Sequence, residues 1–545
     1  MMRIRSGRSV TPSPKGADGR TSGRGSDGLP KKTAKRLSCY GLADYISDVE
    51  SDGLEKTWDR ICRFAVAHKD STPELLDVKN FGELYEIGLA VQDKTLKKKS
   101  GQYYTPDDVA AVMCGWLQQC GGTAVCDVAC GTGKLILTYL DSIGFDRARE
   151  LISSGNLYLY DFDHVALKIC RTIIAVKYGP DIADSVNGIC RDFLDESVRL
   201  PENCKVISNP PYARADMIRS DWDRSDVLLH TRELYSAFMG KIFGQSAASV
   251  VISPFSFISA AKFYPLRKEM CRCGNGFIVA FDNIPGTIFC GRKHGIFNTN
   301  TANSVRAAVT VLHRSSEESG FRVSPLIRFK NRERNSVLKC DVLEKTLPDR
   351  RQLVGGRNTM FAKVGRKHYG IFEAWMEKSR FVVRDFISGD GAGRLIDMPN
   401  TCRYYTTASG RKLSRTGSIT VHVADKDRHS FLYCMINSSF AYWWWRIYDG
   451  GITYPINLFY SMPVPFNLLD DSDRKFFALT AKKMMAEEDR FIVTKMNAGG
   501  LQENIKFPEQ YRNKINRKLL SVLGFDEDGS IFDDIHANHF AWTET

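Results

Sequence analysis

Short apolar segments alternate with helical segments between residues 124 and 312 of this 545-residue chain. This alternation is typical of an open α/β sheet, in which helices connect neighbouring strands. The segments with the composition of strands lie near residues 124–129, 157–162, 186–190, 205–208, 248–254, 276–282 and 307–312. The pattern predicts one doubly wound, Rossmann-like α/β domain with a seven-stranded sheet, and the sheet pattern ends near residue 315.

The length and the charge of the chain bound its organisation. A chain of 545 residues is too long for one compact core and predicts two or three domains. The net charge is +13, and residues 1–36 hold ten Lys or Arg against two Asp. We expect residues 1–38 to form a disordered basic tail, which either has no role of its own or adds non-specific affinity for phosphates.

Cysteine usage and hydropathy indicate the compartment. The 15 cysteines are an odd number and are scattered from Cys39 to Cys434, which suits free thiols in a reducing compartment. Their spacing does not match a structural zinc site, so we expect no metal. The sequence also has no apolar run of the roughly 20 residues that a membrane span needs. The chain is therefore predicted to be cytoplasmic, without a membrane contact.

The residues before the first predicted strand have helical patterns. Residues 39–98 carry apolar side chains at helical spacing and predict an N-terminal helical segment. A second helix is predicted to begin at Thr105 and Pro106, with Thr105 as its N-cap and Pro106 in its first turn.

Polar residues follow several of the predicted strands, and ligands of open α/β sheets bind at the carboxyl ends of strands. The first strand leads into Asp127, Ala129, Gly131 and Gly133. Glycines at such a turn let the backbone approach a ligand closely before a helix begins.

The next two strands end in an acid beside an aromatic residue. Asp161 and Phe162 follow the second strand, where a carboxylate can accept hydrogen bonds from the 2′- and 3′-hydroxyls of a ribose. Asp192 and Phe193 follow the third strand and suit the amine and the face of an adenine ring. The three strand ends together predict a nucleoside-binding cleft.

The fourth strand ends in Asn209-Pro210-Pro211-Tyr212. Two successive prolines remove backbone N–H donors and end the strand in a stiff turn. The Asn209 side-chain oxygen and the Pro210 carbonyl can each accept a hydrogen bond from a planar NH₂ group, while Tyr212 stacks on its ring. Two such acceptors draw the nitrogen lone pair out of conjugation and make the amine nucleophilic. For the tetrapeptide alone, a proline turn without a chemical role is an equal alternative.

An NAD-dependent dehydrogenase would share the glycine turn and the acid at Asp161. Such an enzyme requires a third glycine, whereas Gly133 is followed here by Lys134-Leu-Ile-Leu. The Asn209 turn also has no role in a dehydrogenase.

The ordered set of motifs resembles that of the N6-adenine DNA methyltransferases of type I and type II restriction-modification systems, in the motif order that places the Thr-Pro motif before the glycine turn. The resemblance covers residues 80–315. Its motifs are Gly101-Gln-Tyr-Tyr-Thr-Pro106, Asp127-x-Ala-Cys-Gly-Thr-Gly133, Asp161-Phe-Asp163, Asp192-Phe193, Asn209-Pro-Pro-Tyr212 and Val250-Val-Ile-Ser-Pro-Phe-Ser-Phe257.

The resemblance implies that S-adenosylmethionine binds across the strand ends. Thr105 and Pro106 would close over its methionine part, Asp161 would hold the ribose, and Asp192 with Phe193 would hold the adenine. The implied cofactor-binding residues are Tyr104, Thr105, Pro106, Asp127, Ala129, Gly131, Gly133, Asp161, Phe162, Asp192 and Phe193.

The resemblance also implies the target, the N6 amine of an adenine that is flipped out of duplex DNA. Asn209, Pro210, Pro211 and Tyr212 would bind this base. Phe289 matches the place where related enzymes supply a second ring against the base, and is otherwise an ordinary core residue.

By position, the methyltransferase domain would span residues 99–320, followed by an α+β target-recognition domain at 321–470 and a C-terminal helical segment at 471–545. The region 321–470 is rich in Arg, Gly, Tyr and Trp, which suits contacts with phosphates and base edges. Its run Asn437–Arg446 is predicted to be buried core rather than a stacking platform.

Three alternatives to a self-contained DNA methyltransferase stay open. The first is a modification subunit that needs a separate specificity protein. The second is a methyltransferase that acts on RNA or on protein glutamine. The third is a binding module that has lost activity. The expected partners are double-stranded DNA and, in a restriction-modification system, a cognate restriction endonuclease or a specificity subunit.

Overall fold

The computed structural model describes residue 82, residues 105–289 and residues 305–541, apart from positions 357, 390, 498 and 499. The predicted basic tail at 1–38, Tyr104 and, except for Gly82, the predicted helical segment at 39–98 lie outside the described residues.

A sheet of eight strands forms the centre of the first half of the chain. Its strands are β1 Ala124–Val128, β2 Leu157–Asp161, β3 Asn187–Cys190, β4 Cys204–Ser208, β5 Ala248–Pro254, β6 Gly274–Phe281, β7 Ala307–Arg314 and β8 Gly320–Ile327. Their order is β3-β2-β1-β4-β5-β7-β6-β8. Strand β7 is antiparallel to both of its neighbours, and the other pairs are parallel.

The predicted α/β class is confirmed, whereas the predicted count of seven strands is wrong. The seven predicted strands are present, but the sheet continues beyond residue 315 with β8 at its edge. Arg322, Ser324 and Pro325 interrupt the apolar pattern of β8 and hide it in the sequence. An edge strand tolerates proline, because one side of its backbone has no partner strand.

Helices cover both faces of the sheet. They are α1 Asp107–Gln118, α2 Lys134–Ile143, α3 Phe145–Ser153, α4 His164–Tyr178, α5 Pro180–Ala183, α6 Asp226–Thr231, α7 Leu234–Gln245, α8 Tyr264–Cys273, α9 Arg334–Val337 and α10 Cys340–Glu344. Alternate residues of β1 serve the two faces, with Val125 in the core under α1 and α2, and Cys126 in the core under α7 and α8. The sheet is therefore buried on both sides, as parallel sheets require.

The second half of the chain has its own apolar core. Its strands are β9 Phe381–Val382, β10 Arg394–Pro399, β11 Ser418–Val423, β12 Pro463–Val464, β13 Ile492–Asn497 and β14 Gly500–Ile505. Its helices are α11 Tyr369–Lys378, α12 Lys426–Ile436, α13 Ser439–Tyr448, α14 Ile456–Tyr460, α15 Asp471–Phe491, α16 Glu509–Leu523 and α17 Asp533–His536.

Helix α13 crosses the middle of this second core. Its residues Trp443, Trp444 and Trp445 are all buried, so the prediction that this aromatic run is core is confirmed. The segment predicted as helical from residue 471 also holds the hairpin of β13 and β14. The predicted domain limits at 320 and 470 stay predictions.

Among residues 105–289 and 305–541, no helix combines the length and the hydropathy that a membrane-spanning helix needs.

Candidate functional site

The carboxyl ends of β1, β2 and β4 lie next to one another, because β1 pairs with both of the other strands in parallel. A cleft opens above these ends. It is lined by Thr105, Asp127, Ala129, Cys130, Gly131, Thr132, Lys134, Leu135, Tyr160, Asp161, Phe162, Asp163, Ala166, Arg191, Asp192, Phe193, Asn209, Pro211 and Phe238. Most of the predicted site residues thus lie in one cleft. Of the predicted site residues that the structure describes, Pro106, Gly133, Pro210, Tyr212 and Phe289 do not line it.

The glycine turn after β1 has an unusual backbone. Ala129, Gly131 and Gly133 have φ values of 62°, 53° and 91°, all in the left-handed region. Alanine rarely adopts this conformation, which is often retained at ligand-binding sites. A Cβ atom on Gly133 would collide with Cys170 of α4, so glycine is required there by both conformation and space.

Asp127 is the last residue but one of β1 and is 1% exposed. Its Oδ2 atom accepts a hydrogen bond from the Ile136 N–H at 3.2 Å. Its Oδ1 atom is buried and has no hydrogen-bond partner within residues 105–289 and 305–541. Burial raises the pKa of the Asp127 carboxyl well above its ordinary value, against the lowering effect of the Ile136 N–H. A buried acceptor without a donor at a cleft wall is suited to a ligand that brings one.

Asp161 ends β2 and fastens the glycine turn. Its Oδ2 accepts from the Gly131 N–H at 2.6 Å, and its Oδ1 accepts from the Asp163 N–H at 2.9 Å. Burial raises the pKa of Asp161 to about 6, although both of these N–H groups favour the ionised carboxylate. Asp161 therefore shapes the turn in addition to offering an acceptor to a ligand.

Asp192 and Phe193, which follow β3, are fixed by hydrogen bonds and by aromatic packing, respectively. Asp192 accepts from the Leu194 N–H at 3.0 Å and from the Trp222 indole N–H at 2.9 Å. Phe193 is buried against Tyr160, with ring centroids 5.8 Å apart. By contrast, the Phe162 side chain is 67% exposed at the cleft, where it presents a free ring face.

The Thr-Pro motif contacts the Asn209 turn directly. Helix α1 begins at Asp107 with Pro106 as its N-cap and without a side-chain cap, so the prediction of Thr105 as the cap is wrong. The buried Thr105 hydroxyl instead accepts a hydrogen bond from Asn209 Nδ2 at 3.0 Å. This long-range bond orients the Asn209 amide. Lys134, which follows the glycine turn, forms an ion pair with Asp107.

The Asn209-Pro210-Pro211-Tyr212 turn follows β4, whose five residues are all buried. Asn209, Pro211 and Tyr212 are half-buried, while Pro210 is buried. The Tyr212 ring lies between Tyr235 at 6.2 Å and Phe289 at 6.0 Å, each in an edge-to-face arrangement. A half-buried aromatic ring beside an amide at a cleft suits the recognition of a planar group.

Phe289 is near the Asn209 turn but is not part of the cleft surface. Its side chain is fully buried and belongs to the core under α1. The structure therefore brings Phe289 to the Tyr212 ring as a core residue, and its predicted contact with the base stays a prediction.

Several cleft residues were not assigned a role from the sequence. Cys130, Thr132 and Arg191 line the cleft through their positions in turns. Phe238 of α7 reaches it through a contact with Phe193, with ring centroids 5.3 Å apart. An aromatic residue on a helix face reads as core, so only the fold reveals such a role.

A model of the N-6 DNA Methylase family matches residues 77–249. Residues 77–249 are an N-6 DNA methylase domain. It contains the glycine turn, the strand-end acids Asp161 and Asp192, and the Asn209 turn. The predicted resemblance to N6-adenine DNA methyltransferases is confirmed.

Two curated relatives of this chain are named as a Type II methyltransferase and as the methylase subunit of a Type I restriction enzyme. The Type II methyltransferase M.VspI of Vibrio sp. (strain 343) is 31% identical over 167 residues, which are 30% of this chain and 35% of that protein. The Type I restriction enzyme MpnII methylase subunit of Mycoplasma pneumoniae is 28% identical over 296 residues, 49% of this chain and 50% of that protein. The chain thus spans half or less of these curated relatives.

Among solved structures, the DrdV-DNA complex is similar over 84% of this chain and 68% of that chain. The TM-score is 0.45 and the sequence identity is 12%.

Proposed function

We propose that this chain is a DNA methyltransferase that transfers a methyl group from S-adenosylmethionine to N6 of an adenine in duplex DNA, within a restriction-modification system. The observation that carries the proposal is the Asn209-Pro210-Pro211-Tyr212 turn at the edge of a cleft bordered by Asp127 and Asp161. The family match of residues 77–249 and the two restriction-modification relatives support it.

The residues of the cleft fit S-adenosylmethionine. The buried Oδ1 of Asp127 lacks a hydrogen donor from residues 105–289 and 305–541, and a nucleoside or amino acid ligand supplies one. Asp161 is an acceptor for ribose hydroxyls, and the exposed ring of Phe162 offers a surface for adenine. The Asp161 carboxylate, which is ionised at pH 7, also favours a positively charged ligand. When bound, S-adenosylmethionine supplies a methyl group on a positively charged sulfur.

The chain's own residues then prepare the target amine. The Asn209 side-chain oxygen and the Pro210 carbonyl accept its two N–H groups, and Tyr212 stacks on the base. The Thr105 hydroxyl holds the Asn209 amide in one orientation at 3.0 Å, so little reorganisation accompanies the reaction. Positioning and hydrogen bonding carry the catalysis, because the amine is neutral and the methyl donor is already activated.

The base must leave the duplex to reach this turn, because N6 is engaged in base pairing. We propose that double-stranded DNA is the substrate and that residues 321–470 recognise its sequence. This region includes exposed arginines beside exposed aromatic residues, for example Arg403 and Tyr405.

The MpnII relative favours a second arrangement, in which the chain is a methylase subunit that works with a specificity subunit and an endonuclease. Both arrangements use the same chemistry and differ in where sequence recognition resides. A methyltransferase acting on RNA or protein glutamine is the remaining alternative, because the Asn209 turn can hold those groups too.

The proposal is tested by transfer of labelled methyl groups from S-adenosylmethionine to duplex DNA from a host that lacks adenine methylation, followed by single-molecule sequencing. We expect N6-methyladenine within one short sequence. Transfer only after addition of a specificity subunit would support the second arrangement. Binding of S-adenosylmethionine without transfer to DNA under either condition, but with transfer to RNA or protein, would refute the proposal.

The role of Asp161 predicts how cofactor binding depends on pH. The ionised Asp161 carboxylate is a stronger acceptor for ribose hydroxyls than the protonated acid. Because its pKa is raised to about 6, the carboxylate is protonated as the pH falls through about 6 rather than about 4. We therefore expect binding of S-adenosylmethionine to be about tenfold weaker at pH 5 than at pH 7. Isothermal titration calorimetry measures this ratio.

The Asp161→Asn variant is the control for this prediction. It keeps the shape of the side chain but has no titrating group, so its affinity is expected to be low at both pH values and to change less than about threefold between them. An equal pH dependence in the variant would assign the titration to another group.

A further inference from the structure

Ile452 presents a large apolar side chain to solvent at a place where the backbone is fixed. It is 69% exposed and lies in residues 449–454, between α13 and α14, which we name the 449–454 loop. Single exposed apolar side chains are ordinary on protein surfaces, so exposure alone indicates nothing. The position and the anchoring of this loop make Ile452 different.

The 449–454 loop is tied down at its centre. The Gly451 N–H donates to Asp449 Oδ1 at 2.6 Å, and the Gly451 carbonyl accepts from the Arg306 guanidinium at 3.1 Å. The Ile452 carbonyl accepts from the Cys402 N–H at 3.4 Å. The backbone on both sides of the Ile452 side chain is therefore held in place while the side chain points into solvent.

The loop lies on the edge of the sheet that carries Asn209. Arg306 directly precedes β7, and its carbonyl accepts from the N–H of Phe255, which directly follows β5, at 3.0 Å. Strand β5 is the neighbour of β4, which leads into Asn209. Neighbouring strands are about 4.8 Å apart, and Ala307 pairs with Pro254, three residues beyond the partner of Ser208, so the start of β7 is about 14 Å from the end of β4. Arg306 thus ties the loop to the edge that holds the candidate catalytic turn.

The segment that pairs with the 449–454 loop has exposed side chains that suit a nucleic acid. Thr401, Arg403 and Tyr405 alternate outward along the segment that is hydrogen-bonded to the loop, and all three are exposed. A cation next to apolar groups matches the alternation of phosphates and stacked bases in DNA.

We propose that Ile452 enters the base stack of duplex DNA at the position that the target adenine leaves. This inference rests on the proposed function, because it requires a DNA substrate with a flipped base. Isoleucine is among the apolar side chains that proteins insert between base steps. A side chain that fills the vacated position replaces lost stacking and keeps the base from returning. The anchored backbone of the 449–454 loop gives such a side chain a rigid support.

The test compares two duplexes that contain the mapped methylation site and differ only opposite the target adenine, which faces thymine in one and an abasic site in the other. On the thymine duplex, Ile452→Ala is expected to lower kcat/KM at least about tenfold, because flipping then lacks its compensation. On the abasic duplex the loss is expected to stay below about threefold, because that adenine is already unpaired. Ile452→Met keeps the apolar volume, so its kcat/KM is expected to equal that of the wild type on both duplexes.

Met496→Ala is the matched control, because Met496 is 67% exposed on the β13 and β14 hairpin, and we expect no change of kcat/KM on either duplex. An equal loss on both duplexes for Ile452→Ala, or no loss, would overturn the inference. The inference would also be overturned if Met217→Ala, and not Ile452→Ala, lost activity on the thymine duplex but not on the abasic duplex. Met217 is 83% exposed on the loop after the Asn209 turn. If the wild-type protein methylates neither duplex, the proposed function fails and this inference fails with it. Methylation by the wild type without the predicted pattern refutes this inference alone.

Discussion

Replacing Asn209 by alanine is expected to lower the rate of methyl transfer about 10²–10³-fold, the size of effect seen when one preorganised hydrogen-bonding group is removed from an active site. Under the proposed function, Asn209 supplies one of two acceptors for the target amine. The dissociation constant of S-adenosylmethionine is expected to stay within about threefold of the wild-type value, because the acids that border the cofactor site are untouched. Single-turnover methylation and calorimetric titration measure the two quantities separately.

Two further variants separate the role of Asn209 from that of its neighbours. Asp161→Ala is expected to weaken cofactor binding first, because it removes an acceptor and the fastening of Gly131. Thr105→Val removes the partner of Asn209 Nδ2 but leaves the Asn209 oxygen in place, so we expect a smaller loss of rate than in Asn209→Ala. A loss of cofactor affinity in Asn209→Ala as large as that in Asp161→Ala would remove Asn209 from the target-base site.

The sequence was sufficient to predict seven of the eight strands of the central sheet and most of the cleft, for a physical reason. Buried parallel strands are short apolar runs, and the residues that follow them reach one edge of the sheet whatever the connections between them. Asp127, Asp161 and Asn209 could therefore be assigned to one cleft from their positions after strands. Strand β8 escaped because it lies at the sheet edge, where Arg322 and Pro325 are tolerated.

Contacts between distant segments were beyond the sequence. A Thr-Pro pair before a helix predicts an N-cap, but the Thr105 hydroxyl is used by Asn209, which lies 104 positions further along the chain. Likewise, the Trp222 indole N–H donates to Asp192, 30 positions away, and no local sequence pattern predicts this hydrogen bond. Local preferences were overridden in these cases by tertiary hydrogen bonds, as is expected where polar groups are buried near a functional site.

The buried ion cluster between the sheet and α13 is another set of contacts between distant segments that the sequence does not predict. Asp282 follows β6 and is 2% exposed. It accepts hydrogen bonds from Arg306 at 2.9 Å, from Arg328 at 2.8 Å and from Arg446 of α13 at 2.7 Å. Burial acts to raise the pKa of Asp282, but the three guanidinium groups outweigh it and leave the pKa below its ordinary value.

Asp282→Ala is expected to lower the free energy of unfolding by about 3–5 kcal/mol, because it leaves buried arginines without a counter-charge. The loss follows from the three uncompensated cations and not from the small area of the aspartate side chain. Urea denaturation followed by tryptophan fluorescence reports on it directly, since Trp443, Trp444 and Trp445 share α13 with Arg446. Glu318→Ala, which removes an exposed ion pair with Arg351, is the control and is expected to cost at most about 1 kcal/mol.

The depressed pKa sets the pH range of this contribution. A carboxyl whose pKa is lower in the folded state stabilises the fold fully at neutral pH, and the contribution is lost only as pH falls below about 4. The difference in stability between the wild type and Asp282→Ala should therefore be constant between pH 6 and pH 8 and shrink in acid. A difference that fell between pH 8 and pH 6 would point to another titrating group.

Removing the two more buried of the three cations as well should recover much of the loss, because a buried ion cluster can be replaced by apolar side chains at little cost, whereas an unpaired buried charge cannot. The variant that combines Asp282→Leu with Arg328→Met and Arg446→Met is expected to be more stable than Asp282→Ala alone. If it is less stable, the arginine hydrogen bonds to the carbonyls of Leu326 and Arg403 hold the sheet and α13 together more strongly than the ion pairs do. Either result shows what fixes the second core against the edge of the sheet that carries the candidate catalytic turn.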